Sequence, residues 1–198
     1  DVSYFNFTQY SNIQFTALQV TYDTGSRDVA ILNASGQITY NTPLRLWDTK
    51  YNYTTSFNTS FLINIGPTQD AGTNISGGGM AFILSSNPAQ DVPNSYGAGL
   101  GIMDPTSPTN DSHFVAIEFD TFYDPGIDPY NANHVGIDVD TVKSVFTQDL
   151  DAYNITLNQN TFNVGTNMCI WIDYDGYAKA FDIFLANQIS GSPVPKPE

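Results

Sequence analysis

No stretch of this sequence sustains a helical period. Short apolar or alternating runs recur instead along its whole length, each cut off by Gly, Pro, Asn or Asp. They are Ile13 to Leu18, Asp28 to Leu32, Leu44 to Trp47, Ser56 to Ile65, Met80 to Leu84, His113 to Thr121, His134 to Val139, Val145 to Thr147, Ala152 to Leu157, Met168 to Tyr174 and Ala180 to Ala186. Turn clusters such as Asp23-Thr24-Gly25-Ser26 and Asp175-Gly176 separate them. Runs this short, so punctuated, predict an all-β antiparallel sandwich, with a barrel as the related solution. Residues 1–188 read as one such domain, and the Pro-rich end at 189–198 reads as a linker or terminus.

Composition narrows the function classes. Six Lys and Arg against twenty Asp and Glu leave a formal charge of −14 over 198 residues. Such a surface repels phosphate backbones, which argues against nucleic acid and anionic membrane as partners. Only 13% of the residues are charged while 41% are hydrophobic, so Asn, Ser, Thr and Gly supply the polarity, as in β-rich chains. The single Cys169 excludes an internal disulfide framework, and its apolar strand context predicts a buried structural thiol. No apolar run reaches spanning length, so direct membrane insertion is not expected of this segment. Trp47 and Trp171 are expected to pack in the interior and His113 to sit on the surface; Tyr96 is balanced between packing and ligand contact.

Seven Asn-x-Ser/Thr triplets, at Asn6, Asn33, Asn52, Asn58, Asn74, Asn110 and Asn154, exceed what chance placement would give. Together with an opening that suits a chain freed of its signal peptide, they predict a secreted or extracellular location.

The most informative stretch is VAIEFDTFYDPGIDPYNANHVGIDVDTVKS, residues 115–144. In a strand, Glu118, Asp120 and Phe122 alternate onto one face, which sets the two carboxylates about 7 Å apart between Cα atoms. Val115, Ile117 and Phe119 then point into a core. Two neighbouring carboxylates on one face need a cation, a proton or hydrogen bonds. Asp124 and Asp128 lie in a Pro/Gly loop able to fold back over the strand end, and His134 offers an imidazole nitrogen. Mixed carboxylate and imidazole donors suit a transition ion such as Mn2+; carboxylates with a main-chain carbonyl suit Ca2+. An exposed acidic loop with a surface histidine is the competing reading. Paired strand carboxylates also occur in glycoside hydrolysis, but here the third acidic position is Phe122 and no second carboxylate is evident across a cleft.

This stretch resembles the metal-binding region of the legume (L-type) lectins. PLRLWD at 43–48 with TSFNTSFLINI at 55–65 is similar to a further conserved block of that family. GGGMAFIL at 77–84 and GAGLGI at 97–102 resemble its first two sugar-binding loops. WIDYDG at 171–176 and PKP at 195–197 are closer in style to the lectin ectodomains of plant receptor-like kinases. The resemblance covers nearly the whole chain and implies a jelly-roll sandwich that binds glycans without turnover.

Carried over by position, Glu118, Asp120, Asp128 and His134 match the family's transition-metal ligands, with Ser144 where a water-mediated ligand sits. Asp120, Asp124, Asp128 and the Phe122 carbonyl match its calcium ligands. The resemblance places the sugar-contacting positions at Gly78, Gly79, Ala98 and Gly99, with Phe122 stacking and Asp124 contributing from the metal loop. In that family the ions shape the loops, including a cis peptide beside the first-loop Asp. Three positions depart from the pattern: Gly78 replaces that Asp, Asp124 replaces an Asn that donates to sugar, and Ala98 falls near the second-loop glycine. A carboxylate is acceptor-only when ionised, and each lost charged hydrogen bond is worth about 1.5–3 kcal/mol.

Family members carry further strands that this sequence lacks, so either a second chain supplies them or the sequence is part of a longer protein. The resulting expectation is a Ca2+- and Mn2+-dependent glycan-binding domain of a receptor-like kinase, with a homodimer compatible. The competing expectation is a degenerate lectin with a structural, defence, storage or protein-binding role.

Overall fold

The structure, a computed structural model, describes residues 2–8, 10–14, 17–21, 31–66, 77–107, 113–129, 131–157, 167–188, 192 and 194–198. Most of the predicted run Asp28 to Leu32, the turn at 23–26, and Asn74 and Asn110 lie outside them. Among the described residues there is no α-helix, and all peptide bonds are trans. No described helix is long and apolar enough to cross a membrane.

The chain forms two compact units, residues 1–41 with 65–162 and residues 42–64 with 163–198. In the first unit, β1 (Phe5–Phe7) pairs with β4 (Ile38–Tyr40), and β2 (Asn12–Gln14) with β3 (Ala17–Gln19). The predicted run Ile13 to Leu18 is thus divided between two antiparallel strands rather than forming one. The main sheet runs β11 (Phe146–Asp149), β10 (His134–Val139), β9 (Phe114–Asp120), β8 (Gly79–Ser85), antiparallel throughout.

Register explains its chemistry. Asp120 lies opposite both His134 and Gly79, Glu118 opposite both Gly136 and Ala81, and Ala116 opposite both Asp138 and Ile83. Directly paired residues share a face. One face therefore carries Met80, Phe82, Ile117, Phe119, Val135 and Ile137, and Ile117 and Phe119 are almost fully buried. The opposite face is divided. At one end Phe114 and Ala116 form a core with Met103 and Val142, joined by Ala81, Ile83 and Ile102. At the other end stand Glu118, Asp120 and His134. β9 is buried on both faces along nearly its whole length, so its acids sit inside the fold rather than on its rim.

The predicted strand Ala152 to Leu157 is instead a 3-10 turn at Asp151–Tyr153 followed by an irregular segment. The Asn133 side chain decides this. Its amide donates to Asp151 Oδ1 (2.6 Å) and the Ile155 carbonyl (2.8 Å), and its oxygen accepts the Leu157 N–H (3.0 Å). Leu157 remains buried, so its apolar character is used without a ladder.

In the second unit, β13 (Ala180–Asn187), β12 (Met168–Asp175) and β7 (Phe57–Ile63) form an antiparallel sheet. Along one face, Phe57, Tyr174 and Phe181 make a ring row with centroids 5.5 and 4.7 Å apart, continued by buried Ile170, Ile172 and Met168. Cys169 is buried and reduced. Lys196 folds back to pair with Asp173 and lies 4.1 Å from the Phe184 ring centroid. Trp47 departs from its expected interior position, being 61% exposed. It sits in β5 (Trp47–Asp48), which among the described residues pairs only with β6 (Tyr53–Thr54), and a hairpin of two-residue strands has no broad face to bury a ring against. Trp171 is half-buried.

Candidate metal and ligand site

Glu118, Asp120 and His134 bring one donor atom each within 4.8 Å of one another, and all three residues are buried. The antiparallel β9–β10 pairing accounts for this, because Asp120 and His134 are direct partners and Glu118 is two residues along. The imidazole Nδ1 is 2.9 Å from the Asn131 carbonyl, which orients the ring so that Nε2 faces Glu118 Oε1 at 3.2 Å. Ser144 Oγ donates to Glu118 Oε1 and lies 2.7 Å from Asp138 Oδ1.

Asp138 and Gly136 belong to this site and were not singled out by sequence reasoning. The signal was present: positions 134, 136 and 138 share a strand face, so a residue two and four along from His134 must meet the same acids. Asp138 is fully buried. A Cβ at Gly136 would stand 2.1 Å from both Glu118 Oε1 and Ser144 Oγ, so only glycine leaves room for them.

The loop after β9 closes the site. Phe122 lies beyond the strand end rather than in it: its N–H donates to Asp120 Oδ1 (2.8 Å), and its ring is 41% exposed. Asp128 accepts the Asp124 N–H, while the Ile127 and Asp128 N–H groups both donate to the Asp124 carbonyl, at 3.1 and 3.0 Å. This turn holds Asp124 and Asp128 together; both stand outside the three-donor cluster, but Asp128 interacts electrostatically with His134, Asp124 and Glu118.

The electrostatics are those of carboxylates withdrawn from water, with His134 as the basic group whose charge pulls against that burial at Asp120, Asp128 and Asp138. Burial pushes the Asp120 carboxyl up to about 8 against the pull of the Phe122 N–H, and the charges of Asp128 and Glu118 act in the same direction as burial. Burial and the Glu118 charge bring Asp138 up to about 7. Burial also raises Asp124 and Asp128. For His134 burial acts downward, but the Glu118 hydrogen bond and the charges of Asp120 and Glu118 outweigh it, and the net shift is upward. Asp124 Oδ2 and Asp138 Oδ2 are buried without a hydrogen-bond partner. The buried Glu118 and Asp120 carboxylates beside the oriented His134 imidazole form a mixed O/N donor set that fits a transition ion, and the orphaned oxygen of Asp124 is an oxygen donor of the kind calcium takes. Such ions would supply positive charge that holds the loop against the strand.

The glycine loops lie beside β9. The Thr121 N–H donates to the Gly78 carbonyl (3.3 Å) and its hydroxyl to the Gly77 carbonyl (2.8 Å). Gly79 has φ +126°, and a Cβ there would meet the Phe119 carbonyl oxygen at 2.2 Å. Gly78 packs directly on the second loop: its Cβ would lie 2.5 Å from the Gly97 carbonyl oxygen. That second loop is a 3-10 turn over Gly97–Gly99 in which Ala98 is half-buried and Gly99 buried. Tyr96 before it and Tyr123 after Phe122 are each 42% exposed. The five described sequons, Asn6, Asn33, Asn52, Asn58 and Asn154, are all exposed.

A family model described as the legume lectin domain matches residues 2–197. The chain is 32% identical over 188 residues to the probable L-type lectin-domain containing receptor kinase S.7 of Arabidopsis thaliana, covering 95% of this chain and 26% of that protein. It is 38% identical over 134 residues to agglutinin-2 of Cladrastis kentukea, covering 66% and 44%. Its structure is similar to the metal-free form of lectin I-B4 from Griffonia simplicifolia, with TM-score 0.74, 25% identity and coverage of 93% and 73%. The chain spans about a quarter of the receptor kinase it matches.

Proposed function

This chain belongs to the legume lectin family, with that family's β-sandwich fold, and on that premise we propose that it is a non-catalytic glycan-binding domain organised by Ca2+ and a transition ion. The observation that carries the reading is the buried Glu118–Asp120–His134 cluster beside the glycine loops. Glu118, Asp120, Asp128 and His134 would hold the transition ion, with Ser144 behind them. Asp120, Asp124, Asp128 and the Phe122 carbonyl would hold calcium. The ions neutralise the site and keep the Asp120–His134 loop in one shape, so that the exposed Phe122 ring and the main chain at Gly78, Gly79, Ala98 and Gly99 meet a sugar ready-positioned. Glu118 serves no glycosidic bond in this scheme, being almost fully buried and engaged by Ser144 and His134. Similarity to a receptor kinase and the exposed sequons support an extracellular recognition role, within a longer protein of the receptor-kinase kind.

A specific observation favours a second reading, a lectin that has lost monosaccharide binding. Gly78 supplies no side-chain acceptor, and the Gly97 carbonyl occupies the space where a Cβ would go. Glycan-array binding in Ca2+ and Mn2+, repeated after chelation with melting temperatures on the same samples, separates the two. Chelator-sensitive binding to a defined sugar supports the working lectin. A metal-dependent melting temperature with no glycan bound supports the second reading.

A further inference from the structure

The sheet of the second unit has two unlike faces. One is the apolar face that carries Phe57, Ile170, Ile172 and Phe181. On the other, register sets Trp171 opposite Phe184 and Asp173 opposite Asp182, so two rings and two carboxylates form a square across β12 and β13. Like charges directly opposed on a sheet repel, and a cation between them relieves the repulsion. Lys196 does half of this. Its ammonium pairs with Asp173 and lies 4.1 Å from the Phe184 ring centroid, within the range of a cation–π contact. Asp182 is exposed and Trp171 half-buried, and among the described residues no cation pairs with Asp182.

The segment that delivers this lysine has a chemistry of its own. Lys196 stands between Pro195 and Pro197, neither of which has an N–H for a ladder, so the tail meets the sheet through a side chain and not as a further strand. The two members of the ion pair are 35% and 39% exposed, and a pair so open to water is weak and screened by salt. The tail also ends in Glu198, whose charge opposes the two aspartates. It is thus a modest ligand on a face suited to cations set between prolines. We propose that the Trp171–Asp173 face of β12 and β13 is a docking surface for a basic, proline-rich segment of another protein. That segment displaces the chain's own tail because it brings a second cation to Asp182 and Trp171. Proline-rich segments are pre-extended and dock on aromatic surfaces at little entropic cost. The −14 charge of the chain draws a basic partner in. This surface is separate from the glycan reading and needs neither metal nor sugar.

The test is titration calorimetry at low salt with a capped peptide of alternating proline and lysine. Two control peptides carry glutamine in place of lysine, or glycine in place of proline. The full chain is made without N-glycans, since the Asn58 sequon lies opposite Asp173. Melting temperature reports whether each variant is folded. The wild type should bind the proline–lysine peptide, and Lys196→Gln should bind it about threefold tighter, because the competing tail is unclasped. Asp182→Asn should bind it about tenfold more weakly, and chelator should change none of these affinities. Equal affinity in the wild type and folded Lys196→Gln overturns displacement of the tail. No binding by folded Lys196→Gln, or unchanged affinity in folded Asp182→Asn, overturns the docking surface. Equal binding of the glycine–lysine peptide overturns it too, by showing attraction to the net charge alone.

Discussion

The acidic end of the β9–β10 face and the glycine loops beside it solve opposite problems. In the first, side chains crowd together: buried Glu118, Asp120, His134 and Asp138 share one patch with half-buried Ser144, and Gly136 leaves room for Glu118 and Ser144. In the second, side chains are excluded: Gly78 and Gly79 have backbone atoms where a Cβ would be. The acidic patch is a set of titratable groups that, on the proposed reading, metal ions would hold together, whereas the loops are held by steric fit and main-chain hydrogen bonds. The two regions should therefore fail under different perturbations, and that difference is measurable.

The largest effect is expected from Asp120→Asn. At a hundredfold excess of metal over Kd, binding to the folded state stabilises by about 2.7 kcal/mol, and that metal-dependent gain should vanish in the variant. In chelator the same variant should be no less stable than the wild type, because a buried carboxyl has been replaced by a neutral amide. Equal loss with and without metal would show that Asp120 is a structural residue only. Next comes Gly136→Ala, whose methyl meets Glu118 and Ser144 and should cost about 1–3 kcal/mol by overpacking. Calorimetric calcium and manganese titration should also weaken, and unchanged metal binding would break the link between that glycine and the acids.

Gly78→Asp tests the other region. Restoring a carboxylate should not restore sugar binding, since the Gly97 carbonyl blocks the side chain; a loss of about 1–3 kcal/mol without new affinity is expected. New monosaccharide binding at an unchanged melting temperature would mean that the second loop yields freely. A smaller effect concerns pH. Asp120 and Asp138 rise from 3.8 to about 8 and about 7 in the fold, so the metal-free folded chain holds protons that the unfolded chain releases. Their contribution is fully present below pH 3.8 and is lost as pH rises through 7 to 8. The melting temperature in chelator should fall between pH 5 and 8, and metal should flatten the slope; a rise in chelator would contradict the burial of these acids. Phe122→Ala should hardly change stability, because the ring is 41% exposed, yet weaken sugar binding about tenfold if the ring stacks under it.

Much of this protein was legible in its sequence because the relevant physics is local. Alternation with period two marked β7, β8, β9, β10, β12 and β13 within a residue or two at each end, and it set Glu118 and Asp120 on one side of their strand. The spacing of acids and a histidine across 118–134 pointed to the residues that form the buried Glu118–Asp120–His134 cluster. What alternation could not supply was pairing. Only the β9–β10 register brings Asp138 and Gly136 to Glu118, and only the fold buries these acids on a strand covered from both sides. The Asn133 clamp likewise turned a strand-like sequence at 152–157 into a turn, through hydrogen bonds to residues 18 to 24 positions away. Gly78 reads in sequence as a missing acceptor. In the folded chain it is a contact point with Gly97, because steric exclusion depends on which backbone arrives alongside, and that is decided by tertiary structure alone.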